Sequence, residues 1–78
     1  MSGDSEEQWA ERAKRFFKAE LKRADVTYDD LAGRLSKVGM FETKASIANK
    51  ISRGTFSAAF LLASLKAIGC HNVRVDDL

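Results

Sequence analysis

The sequence predicts an all-α domain of four helices, and three observations carry that expectation. Proline is absent, β-branched residues are few, and the five glycines are scattered singly. Apolar residues recur with the 3.6-residue helical period in four separate stretches. Ahead of each stretch stands a serine or threonine that can accept from the free amides of a helix start. At 78 residues and 45% hydrophobic composition, the chain sits near the lower size at which one core holds without disulfides or metal. We therefore expect a single domain over residues 1–78, with a flexible leader at 1–4 and a tail at 70–78.

The first helix should start after Ser5, because Ser5 and Gln8 have capping-box spacing and Glu6 and Glu7 place negative charge where the helix dipole favours it. It should run to Ala24, with Trp9, Ala13, Phe16, Phe17 and Leu21 as a core-facing stripe and Lys14, Lys18 and Lys22 as an outward row. Asp25 and Val26 make the first break. Thr27 then caps a second helix whose apolar face is Leu31, Ala32, Leu35 and Val38, and which Gly39 ends by adopting positive φ. Met40 and Phe41 are expected to plug the core from the connection over residues 36–43. A third helix runs from a Thr43 cap to Gly54, with Ile47, Ala48 and Ile51 on its apolar face. The fourth, capped by Thr55 or Ser57 and ended by Gly69, is apolar almost all round through Phe60, Leu61, Leu62, Leu65 and Ile68. Alternation at Val73, Arg74 and Val75 reads as a short strand or a frayed end.

Charge and cysteine content exclude several function classes. The net charge is only +2; residues 1–26 balance six acids with six bases, 27–54 carry three acids and five bases, and 55–78 carry two of each. The cationic excess thus falls on the middle segment. One cysteine, Cys70, and one histidine, His71, leave neither a disulfide nor a zinc cluster, which suits a reducing cytoplasm. No apolar run is long enough to span a bilayer, and the N-terminus lacks the apolar core of a signal peptide. No glycine-rich phosphate loop is present, Asp29-Asp30 is the first turn of a helix, and adjacency of Cys70 and His71 alone does not make a nucleophile and base. We expect no enzyme activity, no cofactor, no metal and no small-molecule substrate.

From Thr27 to Gly69 the chain carries a set of residues in a telling order: Thr27, Tyr28 and Leu31-Ala32; Ser46-Ile47-Ala48-Asn49-Lys50-Ile51; Arg53-Gly54; and Leu61-Leu62 with Ala67-Ile68-Gly69. This order resembles the Cro and lambda-repressor type of helix-turn-helix domain, and the chain as a whole resembles a small bacterial family of unknown function. The first resemblance implies a duplex-DNA-binding homodimer that regulates transcription. Its third helix would be the recognition helix, with Lys44, Ser46, Asn49 and Lys50 toward bases and phosphates, Thr27 and Tyr28 on a phosphate at the N-terminus of the positioning helix, and Arg53 on a second phosphate. One departure stands out. Ala32 and Ile51 lie nineteen residues apart, where that motif has about thirteen because its turn is tight. The usual proline after Arg53-Gly54 is also missing. The alternative is a protein-interaction or dimerisation module that keeps a repressor-like fold without binding DNA, using the apolar fourth helix and the Val73–Val75 tail. Arg53-Gly54 also has a structural reading, since glycine is the cheap left-handed stop and a cation near a helix C-terminus is favoured.

Overall fold

The computed structural model describes residues 5–78, so the leader expected at 1–4 lies outside the described residues. Four α-helices follow in order, α1 (Glu6–Ala24), α2 (Tyr28–Ser36), α3 (Lys44–Arg53) and α4 (Ala58–Ala67), and a 3-10 turn over Val75–Asp77 ends the chain. No strand occurs among the described residues: of the alternating residues, Val73 and Arg74 are irregular and Val75 opens this turn. All four helices start at a hydroxyl cap. Ser5, Thr27 and Thr43 each close a capping box with the residue three positions on, Gln8, Asp30 and Ser46, and Ser57 accepts from the Phe60 amide.

Helix ends are equally regular. At three of them an amide reaches back five residues to close the last turn: Val26 N–H to Leu21 O at 3.0 Å, Met40 N–H to Leu35 O at 3.0 Å, and Cys70 N–H to Leu65 O at 2.9 Å. The residue before each closing amide is left-handed, namely Asp25 (φ 58), Gly39 (φ 85) and Gly69 (φ 80). Each residue after it turns inward, with Val26 buried and Met40 and Cys70 packed on the core. This is the Schellman geometry with its hydrophobic contact. Arg34 adds a long-range cap, its Nη1 donating to the carbonyl of Ala67 at 3.1 Å near the end of α4.

The core is built from Phe17 and Leu21 of α1, Leu31 and Leu35 of α2, Ile47 and Ile51 of α3, and Phe60, Leu65 and Ile68 at α4. Phe17, Phe56 and Phe60 make a ring cluster with centroids 5.3 to 5.9 Å apart. α3 packs on both α1 and α2, and α4 packs on α2.

Gly54 fixes the corner between α3 and α4. Its φ is +68, and a Cβ there would lie 2.5 Å from the carbonyl oxygen of Ala10. The backbone of α1 therefore crosses directly over this position, which no side chain can occupy.

Three expected core residues lie outside. Trp9 is 43% exposed and stacks beside the Arg12 guanidinium, 4.6 Å from the ring centroid. Trp9 stands one residue before Ala10, where α1 crosses the Gly54 corner, and its ring borders a surface hollow with Gly54, Thr55 and Phe56 instead of entering the core. Val38 falls in the turn after α2 and is exposed. Phe41 is 82% exposed. Met40 is turned inward by the Schellman bond, and side chains alternate along the extended segment that follows, so its neighbour points out.

Candidate functional site

The helices that carry the expected site are α2 and α3, joined by the connection from Lys37 to Thr43. The extra residues of this connection are taken up by the turn, since α2 stops at Ser36. Ile47 and Ile51 are fully buried and hold α3 against α1 and α2. The opposite face of α3, at 100° per residue, presents Ala45, Asn49, Ser52 and Arg53, while Lys44, the first residue of the helix, stands to the side of that face. All five are exposed. It is a face of small and polar side chains.

Two of the expected contact residues are committed to the fold. Ser46 is the third residue of the capping box. Its Oγ accepts from the Thr43 amide at 2.9 Å and donates to Glu42 Oε1 at 2.6 Å. Lys50 Nζ donates to the other oxygen of the same carboxylate, Glu42 Oε2, at 2.5 Å and lies 5.3 Å from the centre of the Phe60 ring. Glu42 thus ties the start of α3 to its middle. The hydrogen bond from Lys50, then that from Ser46, hold its carboxyl below the ordinary value of 4.5. Sequence reading missed Glu42 because the pair spans the turn, eight residues apart, and not one helix face.

Thr27 and Tyr28 lie at the start of α2, as expected, with Thr27 exposed and Tyr28 half-buried against the core. The Thr27 hydroxyl accepts from the Asp30 amide at 3.1 Å, and the Asp30 carboxylate accepts from the Thr27 amide at 3.2 Å. What remains for a ligand at this helix start is the Tyr28 side chain and the adjacent first-turn amides. The carboxylates of Asp29 and Asp30 occupy the same turn.

No chemistry is assembled elsewhere around Cys70. Burial, followed by the charge of Glu20, pushes its thiol up from the ordinary value of 9.0, and Sγ donates to the Asn72 carbonyl at 3.5 Å. A thiol so placed is protonated near neutral pH and is a poor nucleophile. Among the described residues no group of three or more His, Cys, Asp or Glu side chains is placed to hold a metal ion, and no helix is long and apolar enough to cross a membrane.

Residues 9–73 match a family model described as Domain of unknown function (DUF6471). The chain belongs to the DUF6471 family. The matched span takes in all of α2, α3 and α4 with their caps and most of α1, so the Gly54 corner and the long α2–α3 connection lie within the family domain. No curated protein and no solved structure matches the chain.

Proposed function

We propose that this DUF6471 domain binds duplex DNA through the outer face of α3, and that it acts as a homodimer in transcriptional regulation. The observation that carries the reading is the composition of that face. Ala45, Asn49 and Ser52 leave a slender, polar helix surface, free of large apolar groups, with Arg53 on its border and Lys44 exposed in the first turn of the same helix. A helix of this kind fits a major groove, and packing on α2 gives it the two-helix support of a helix-turn-helix unit. Asn49 is the residue suited to base reading, since an asparagine amide pairs bidentately with adenine. Lys44 and Arg53 serve phosphates, and the α2 start at Thr27 and Tyr28 serves a third. Ser46 and Lys50 contribute indirectly, by holding the α3 start through Glu42. Pairing of two copies would supply the contacts that one short helix lacks.

Fluorescence anisotropy on selected duplexes tests the proposal. Asn49→Ala should cost about 1–3 kcal/mol and relax preference at one base position. Lys44→Ala should weaken all sequences alike and lower the salt slope by about one. Equal binding by the wild type and both variants across salt concentrations would contradict the reading.

A second reading, a protein-interaction module, draws on the exposed Phe41 and Val38 beside the α3 start and on Leu62, 64% exposed on α4. Surface apolar groups of this size are suited to a protein partner. If a Phe41→Ser, Leu62→Ser double variant abolishes self-association in light scattering and leaves DNA affinity per monomer unchanged, the two functions belong to separate surfaces.

A further inference from the structure

A cleft of about 510 Å³ lies between α1 and the tail, and four arginines, Arg12, Arg15, Arg23 and Arg74, line it. These are four of the chain's six arginines, and none of its seven lysines joins them. Glu20 and Asp77 are the acids in the same wall, so the lining side chains carry a net +2, as much as the whole chain. Guanidinium is the planar fork that binds phosphate and carboxylate oxygens in pairs, whereas lysine is a point charge, and a surface that is merely solvated would mix the two.

We propose that this cleft binds the phosphoryl group of a small organic phosphate. Arg12 is oriented by its stacking on Trp9, Arg23 is held by Glu20 at 2.5 Å, and Arg74 lies 3.6 Å from Asp77. Asp77 therefore stands where an incoming anion would compete for the Arg74 guanidinium. The volume lies within the range of small-molecule sites and exceeds what one phosphate fills, and half-buried Phe16 with the Asn72 amide gives the remaining wall an apolar and a polar contact for the organic part. The site does not depend on the DNA reading. Arg15 and Arg23 each stand two positions from the buried Phe17 and Leu21, about 160° around α1, on the face remote from the core that α3 packs on.

The test is an amide NMR titration of the full chain with inorganic phosphate and with adenosine 5′-monophosphate, each against sodium chloride of equal ionic strength. Saturable shifts confined to Phe16, Ala19, Asn72 and Arg74 are expected with both phosphates and not with chloride. Arg15→Ala and Arg74→Ala should each weaken binding about tenfold, and Asp77→Asn should strengthen it about threefold. Lys44→Ala and Lys66→Ala should leave it unchanged. Shifts spread equally over Lys44, Arg53 and Lys66, or an Asp77→Asn variant that binds no better, would overturn the proposal. So would a duplex that moves the cleft residues when neither small phosphate does. Because Asp77→Asn is predicted to gain affinity, loss of fold in an arginine variant cannot imitate the expected pattern.

Discussion

On the outer face of α3 the cations are few and partly restrained: Lys50 is drawn back onto Glu42, Arg53 stands on the border of the face, and Lys44 is exposed in the first turn to its side. In the cleft between α1 and the tail, four arginines converge, three from α1 and Arg74 from a segment far along the chain. Linear charge counting ranks these two regions in the opposite order, since residues 27–54 hold the excess and the segments that supply the arginines are each neutral. A neutral segment can still concentrate charge when its acids and bases leave on different faces of a helix. The two regions also differ in how they are held. α3 is fixed by fully buried Ile47 and Ile51, whereas the tail that closes the cleft buries none of residues 70–78.

Gly54→Ala should break this contrast with the largest effect. The new Cβ would meet the Ala10 carbonyl at 2.5 Å in a left-handed backbone, which should cost about 2–5 kcal/mol and displace the end of α3 from α1. Gly39→Ala, also left-handed but with no atom within 4 Å of its Cβ, should cost only about 1 kcal/mol. Denaturant melts of the two variants separate overlap from backbone strain. Equal losses would mean that the α1 crossing is looser than described.

Glu42→Gln sharpens the comparison from the α3 side. Because the folded carboxyl is held below its ordinary value by Lys50 and Ser46, its stabilisation is present above that ordinary value and is lost as pH falls through the lowered one. The variant should be less stable than the wild type near neutrality, with the difference closing in acid. Its Lys50 would be released toward solvent, so duplex affinity should rise modestly while phosphate binding in the cleft stays constant. Thermal melts from pH 7 to pH 3 read the first effect, and a constant gap across that range would contradict it.

The smallest effect is expected inside α4. Ser64 is fully buried and its hydroxyl has no hydrogen-bond partner among the described residues. Ser64→Ala should therefore leave stability unchanged or raise it by up to about 1 kcal/mol, with neither surface affected. A clear loss of stability would show that the hydroxyl has a partner, such as an internal water.

The helices were legible in the sequence because their signals are local. Ser5 with Gln8, Thr27 with Asp30, and the left-handed stops at Gly39, Gly54 and Gly69 all act within a turn or two. What the local pattern omits is how far a neighbour extends. Trp9 shares the stripe of Phe17 and Leu21 but lies at the rim where α1 crosses the Gly54 corner, and Leu62 and Ser64 exchange the places that hydropathy assigns them on the nearly all-apolar α4. Phe41 points outward because a backbone bond commits Met40. In the candidate site, the exposure of Lys44, Asn49 and Arg53 follows from the period of Ile47 and Ile51 and the ends of α3, whereas the engagement of Ser46 and Lys50 by Glu42 needed the turn to fold first. The arginine cleft was invisible for the same reason, since Arg74 reaches α1 only through the path of the tail.

Docking of the outer face of α3 on duplex DNA is the proposal that the other predictions surround. Its most direct measurement is an amide NMR titration of the chain with a mixed-sequence duplex at low salt, repeated at higher salt. The account predicts salt-sensitive shifts gathered on Thr27, Tyr28, Lys44, Asn49 and Arg53, with the cleft residues Arg15 and Arg74 unmoved. Absence of shifts, or shifts scattered over no common face, would contradict it and leave the α2–α3 unit as a scaffold for protein contacts.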